Sequence, residues 1–152
     1  MASLFKLIAA PMIAMALLLA PVQAGEVDRY NPIRAATGFL NAFKARDVVA
    51  MAKFSNAKNK EMFDDLAANG EASEFYKKVF AGQKFESVSA WDGAVGQARR
   101  YNLQAIVPFH GIHSDVVAVV VLTQENGVWG LKDISRISNS QLENLPILQT
   151  TP

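Results

Sequence analysis

Asp133, Tyr101 and the set His110, His113 and Asp115 are the residues whose types and spacing bear on chemistry. Asp133 follows Trp129 and Leu131 at alternate positions. If those two face an apolar interior along a strand, Asp133 faces it too, unless a bulge intervenes. A carboxylate in such a pocket can serve as a general base. The competing reading is a structural aspartate that bonds a backbone amide or an arginine. Tyr101 stands in the alternation Tyr101, Leu103, Ala105, Val107, Phe109 and either lines a cavity or packs as a core aromatic. Two imidazoles and a carboxylate suit Zn²⁺. However, His110-x-x-His113 falls in a turn-like stretch, not in the helical H-E-x-x-H that aims both rings one way. A polar hairpin tip is the favoured reading, because the ligand types are present without the geometry. The chain has no cysteine, which excludes a thiolate metal site, a cysteine nucleophile and a disulfide framework. No G-x-S-x-G elbow, phosphate loop or dinucleotide fingerprint occurs, so no cofactor is expected.

The elements that must position these residues change character along the chain. Asn31-Pro32 predicts a helix start, with Asn as the cap and Pro at the first helical position. Ile33, Ala36, Phe39, Leu40 and Phe43 then form an apolar stripe at helical spacing. Asp47 opens a second helix with Val48, Met51 and Phe54. A third, over 57–68, ends at Asn69-Gly70, and a fourth over 71–81 buries Phe75 and Val79 and stops at Gly82. The period then changes to two. Four strands are expected: Phe85–Trp91, Tyr101–Phe109, Val116–Leu122 and Trp129–Ile137, with Asn126-Gly127 as a hairpin turn. Beyond Asn139 the chain loses periodicity and reads as a tail. Helices followed by consecutive antiparallel strands predict an α+β domain, with the N-terminal helices packed on a curved four-stranded sheet.

The third strand is apolar on both faces from Val116 to Leu122. An antiparallel strand with one wet face should alternate, so both faces are expected to be covered. The helices can cover one. No spare element is evident for the other, which predicts a homodimer through the sheet face; the competing reading is a central strand covered by its own helices and long neighbouring side chains.

The N-terminus resembles an export leader. Lys6 precedes an apolar run from Leu7 to Ala20, and Val22-Gln23-Ala24 sets small residues before a cut at Gly25. The run is too short for a spanning helix, which needs about 20 apolar residues. The expected organisation is a signal peptide over 1–24 and one domain over 25–152, with its core over about 31–137 and a tail over 138–152. Export to the periplasm or beyond follows, with no membrane anchor after cleavage. The chain carries 15 Lys and Arg against 14 Asp and Glu. Only Lys6 lies in the leader, so the exported part is neutral, with no electrostatic footprint for nucleic acid or anionic lipid.

Phe39-Leu40-Asn41-Ala42-Phe43 after a capped helix start, then Arg46-Asp47, resembles the NTF2-like (cystatin-like, α+β cone) superfamily. The ending Val119-Val120-Val121-Leu122-Thr123-Gln124-Glu125-Asn126-Gly127-Val128-Trp129-Gly130-Leu131-Lys132-Asp133-Ile134 looks closer still to its small secreted bacterial members. The resemblance covers about 31–137. It implies a conical fold with a cavity between sheet and helices, frequent dimers, and functions from enzymes to ligand binders. Ketosteroid-isomerase-like members use a strand aspartate as base, with tyrosine and acid partners whose positions have no convincing match here. Fold does not choose among these functions. The expected function is therefore a non-catalytic module holding a small apolar ligand or a protein partner, with Tyr101, Leu103, Phe109, Trp129, Leu131 and Asp133 as pocket candidates. The alternative is a cofactor-independent acid–base enzyme, an isomerase or dehydratase, with Asp133 as base.

Overall fold

A computed structural model describes residues 28–150; the leader expected over 1–24 lies outside them. The chain is an α+β domain, with helices followed by one four-stranded antiparallel sheet in the order β1-β2-β3-β4. The helices are α1 (Pro32–Lys44), α2 (Val48–Lys53), α3 (Ala57–Asn69), α4 (Glu74–Ala81) and α5 (Glu86–Ser89). The strands are β1 (Arg99–Tyr101), β2 (Gln104–His110), β3 (Val116–Glu125) and β4 (Val128–Ser138), and α6 (Asn139–Glu143) follows. None of the described helices is long and apolar enough to cross a membrane.

The caps are those the residue types require. Asn31 Oδ1 accepts from the Ile33 and Arg34 amides, and Asp47 Oδ1 accepts from the Ala50 amide. The α1 stripe buries Ala36, Phe39, Leu40 and Phe43 against the sheet. Phe63, Phe80 and Phe85 extend this into an aromatic cluster: Phe39 and Phe63 have ring centroids 5.9 Å apart, and Phe43 stacks on Phe85 at 4.8 Å. With Phe109, these rings occupy the space between helices and sheet.

Four expectations are corrected. The segment Phe85–Trp91 is not a strand. It holds the end of a 3₁₀ turn and α5. Its apolar residues Phe85, Val88 and Trp91 recur every third position, which is a helical and not an alternating spacing. Second, Tyr101–Phe109 is not one strand. Asn102, at φ 52°, opens a two-residue turn between β1 and β2, a conformation Asn tolerates better than most residues. Third, α4 leaves Phe75 exposed and buries Tyr76 in its place, beside Val79. Fourth, the tail is ordered. Ser138 and Gln141 form a reciprocal capping box that starts α6, and Leu142 is buried.

From Val117 to Val120 the valine-rich β3 is buried on both faces, while Val121 is half-buried and Val116, at its start, is exposed. Ala118, Val120 and Leu122 belong to the main core beneath the helices, while Val117 and Val119 form a second cluster with Ile106 and Leu142. Part of the second cover is α6, a spare element that periodicity did not reveal, while Val121 and Ile137 stay half-buried on that face.

Both sheet edges are occupied, as an unpaired edge invites association. At β1 the returning chain pairs Ile147 with Arg99, and the Arg100 amide donates to the Pro146 carbonyl at 2.8 Å. At β4 the Leu131 amide donates to the Phe54 carbonyl at 2.8 Å, and the Asn56 amide donates to the Leu131 carbonyl at 2.9 Å. Gly130 permits this approach, since a Cβ there would lie 2.6 Å from the Asn56 nitrogen. Two bulges, at Phe109 and Lys132, interrupt the ladders; such insertions bend a strand and increase its twist.

Candidate functional site

The six pocket candidates do not form one site. Phe109 and Leu131 are core residues, and Trp129 packs half-buried against that core. Leu103 is 88% exposed at the tip of the β1–β2 hairpin. The turn also changes the face on which Tyr101 lies. It pairs with Gln104, and so sits on the face of Ile106 rather than that of Ala105 and Val107.

Asp133 is moved out of phase by the Lys132 bulge, standing opposite Val121 while Leu131 stands opposite Leu122. Its Oδ1 accepts from the Ile134 amide at 2.9 Å and pairs with the Lys84 ammonium. It is thus a half-exposed carboxylate bonded to a backbone amide, with a lysine where an arginine was the expected alternative. A recess of about 190 Å³ reaches it from the core, past Phe63, Val79 and Ile134.

His110, His113 and Asp115 do not converge. His110 ends β2, and the other two lie exposed in the turn that follows. Among the described residues, no three His, Cys, Asp or Glu side chains are placed to hold a metal ion.

The more developed concavity lies on the face of the sheet turned away from α1, and the sequence pointed to it only through Tyr101. It is a groove of about 480 Å³. Ile106, Val119, Val121 and Ile137 form the floor, and Leu145, after α6, forms one wall. Tyr101, Gln104, Ser135, Gln141 and Asn144 supply the polar rim. All ten lining residues are uncharged. An apolar floor with a few amide and hydroxyl groups, in this volume range, is the usual make-up of a small-molecule site. Such a site can desolvate a neutral amphiphile and bond its polar end, while an ion would go unpaired there.

The alternating strands announced two faces, but the groove also needs α6 and Leu145, whose segment carries no period. A capping signal, Ser138-x-x-Gln141, was the available clue.

No protein-family model matches this chain, and neither does any curated protein or solved structure. What it does must be read from its own residues.

Proposed function

We propose that the chain is an exported, non-catalytic binding module of NTF2-like type that holds a small, neutral, apolar or amphipathic molecule in the groove beside α6. The observation that carries this reading is the lining itself: an apolar floor continuous with the second hydrophobic cluster, and a rim of hydroxyl and amide groups without a charge. The site differs from the one the resemblance implies. Phe39, Phe63 and Phe109, each fully buried, fill the centre of the space between helices and sheet and leave only smaller recesses at its margins. The binding surface proposed here is the opposite face.

Native mass spectrometry of the protein purified from its own host, alongside light scattering, tests this reading. A co-purified neutral molecule on a monomer supports it. A dimer with no small molecule would mean that a second copy seats on the groove, as the sheet-face homodimer requires, and would overturn the ligand reading.

Acid–base catalysis at Asp133 is the alternative. One observation favours it: the small recess reaches Asp133, with Lys84 as a second polar group in contact. The same contact opposes it, because a base there would first have to leave its ammonium partner.

A further inference from the structure

A second concavity lies on the helix-facing side of the sheet and has a different chemistry. The register sets His110, Ala118 and Arg136 in one row across β2, β3 and β4. Ala118 belongs to the core cluster beneath the helices, so the row faces α5. Neighbouring strands lie about 4.8 Å apart, and the two nitrogenous side chains therefore flank a residue that carries only a methyl group. The result is a recess of about 300 Å³, bounded by Glu86, Ser87 and Ala90, with Val116 beside Ala118 on its floor.

We propose that this recess binds a short-chain monocarboxylate. The Arg136 guanidinium is tethered at one corner: Nη2 donates to the buried Ser87 Oγ at 3.2 Å. Glu86 lies 3.8 Å from the same nitrogen, an ion-pair distance beyond hydrogen-bond range. Arginine has five N–H donors in a planar fork, which matches the two oxygens of a carboxylate. The tether engages one nitrogen of the half-exposed fork and leaves its other donors for a ligand. His110 supplies a further polar group across the row. The rest of the surface is Ala90, Ala118 and Val116, which suits a short alkyl chain. Val116, 56% exposed, would be covered by that chain. Glu86 at the rim repels any anion, and repels a doubly charged one such as phosphate about twice as strongly as a monocarboxylate.

The site shares no residue with the uncharged groove, so the two proposals stand or fall separately. The test is an NMR titration of the purified protein with sodium butyrate against sodium chloride at equal ionic strength, with n-butanol and inorganic phosphate as further probes. Saturable shifts are expected at Ser87, Ala118 and Arg136 with butyrate, and weaker ones with chloride, n-butanol or phosphate. Arg136→Gln should weaken butyrate binding at least about tenfold, the loss of a charge-assisted pair. Glu86→Gln should tighten it, since it removes a competing carboxylate from an exposed position without touching the core. Non-saturating shifts, an equal response to n-butanol, or unchanged affinity in both variants would overturn the proposal.

Discussion

Leu142 of α6 and Val119 of β3 are buried in one cluster, on the face of the sheet turned away from the other helices. This pairing gives the valine-rich strand part of its second cover. Truncation at Leu142 removes the cover without touching the main core. Leu142→Ala is expected to destabilise the fold by about 2–4 kcal/mol, as for other buried leucines, and denaturant unfolding measures it. A loss below about 0.5 kcal/mol, the range of ordinary surface changes, would mean that α6 does not hold the face.

Gly130 is required by the chain that crosses it. A methyl group there meets the Asn56 nitrogen and the Ser55 carbonyl, both backbone atoms that cannot rotate away. Gly130→Ala should therefore cost about 1–3 kcal/mol through overpacking, despite the greater conformational freedom of glycine in the unfolded chain. Thermal unfolding reads the effect. An unchanged or raised Tm would show that the 54–56 segment is not seated on the β4 edge.

Thr123 Oγ1 is buried and has no hydrogen-bond partner among the described residues. A hydroxyl taken from water without compensation is unfavourable. Thr123→Val keeps the shape and removes the unpaired group, so a gain of about 1 kcal/mol is expected in chemical denaturation. A clear loss would reveal a partner for that hydroxyl.

The Lys84–Asp133 pair is half-exposed on both sides. Exposed pairs contribute about 0–1 kcal/mol. Asp133→Asn is thus expected to change stability by less than about 1 kcal/mol and to leave ligand binding in the groove unaltered. Abolished function with stability intact would move the centre of activity to Asp133 and favour the enzyme alternative.

The fold was legible where one period dominated. Asn31-Pro32 and the α1 stripe, Asn126-Gly127 with its flanking strands, and the doubly apolar β3 all carry strong local signals, and each stands as expected. The misreadings share a cause. In Phe85–Trp91 the three-residue spacing spans only seven residues, and Ser87 and Ser89 flank Val88 as polar positions flank an apolar one in a strand. In Tyr101–Phe109 the period of two continues through Asn102-Leu103 by accident of composition, which concealed a turn and placed Tyr101 on the wrong face. Ser138–Leu148 buries only a few side chains, and they reach the sheet from a five-residue helix and an extended return, so no period exists to be seen. The groove depends on those two hidden features, the hairpin parity and α6. That is why, of the six pocket candidates, only Tyr101 lines it.

The most direct measurement is a fluorescence titration of the protein with N-phenyl-1-naphthylamine, an uncharged apolar probe, in the parent chain and in Val121→Glu. Val121 is a half-buried floor residue of the groove, and a carboxylate there places a charge where the probe would sit. Saturable one-to-one enhancement in the parent, lost in Val121→Glu with folding intact, is the predicted result. Equal enhancement in both proteins, or none in the parent, would contradict the groove as a binding site.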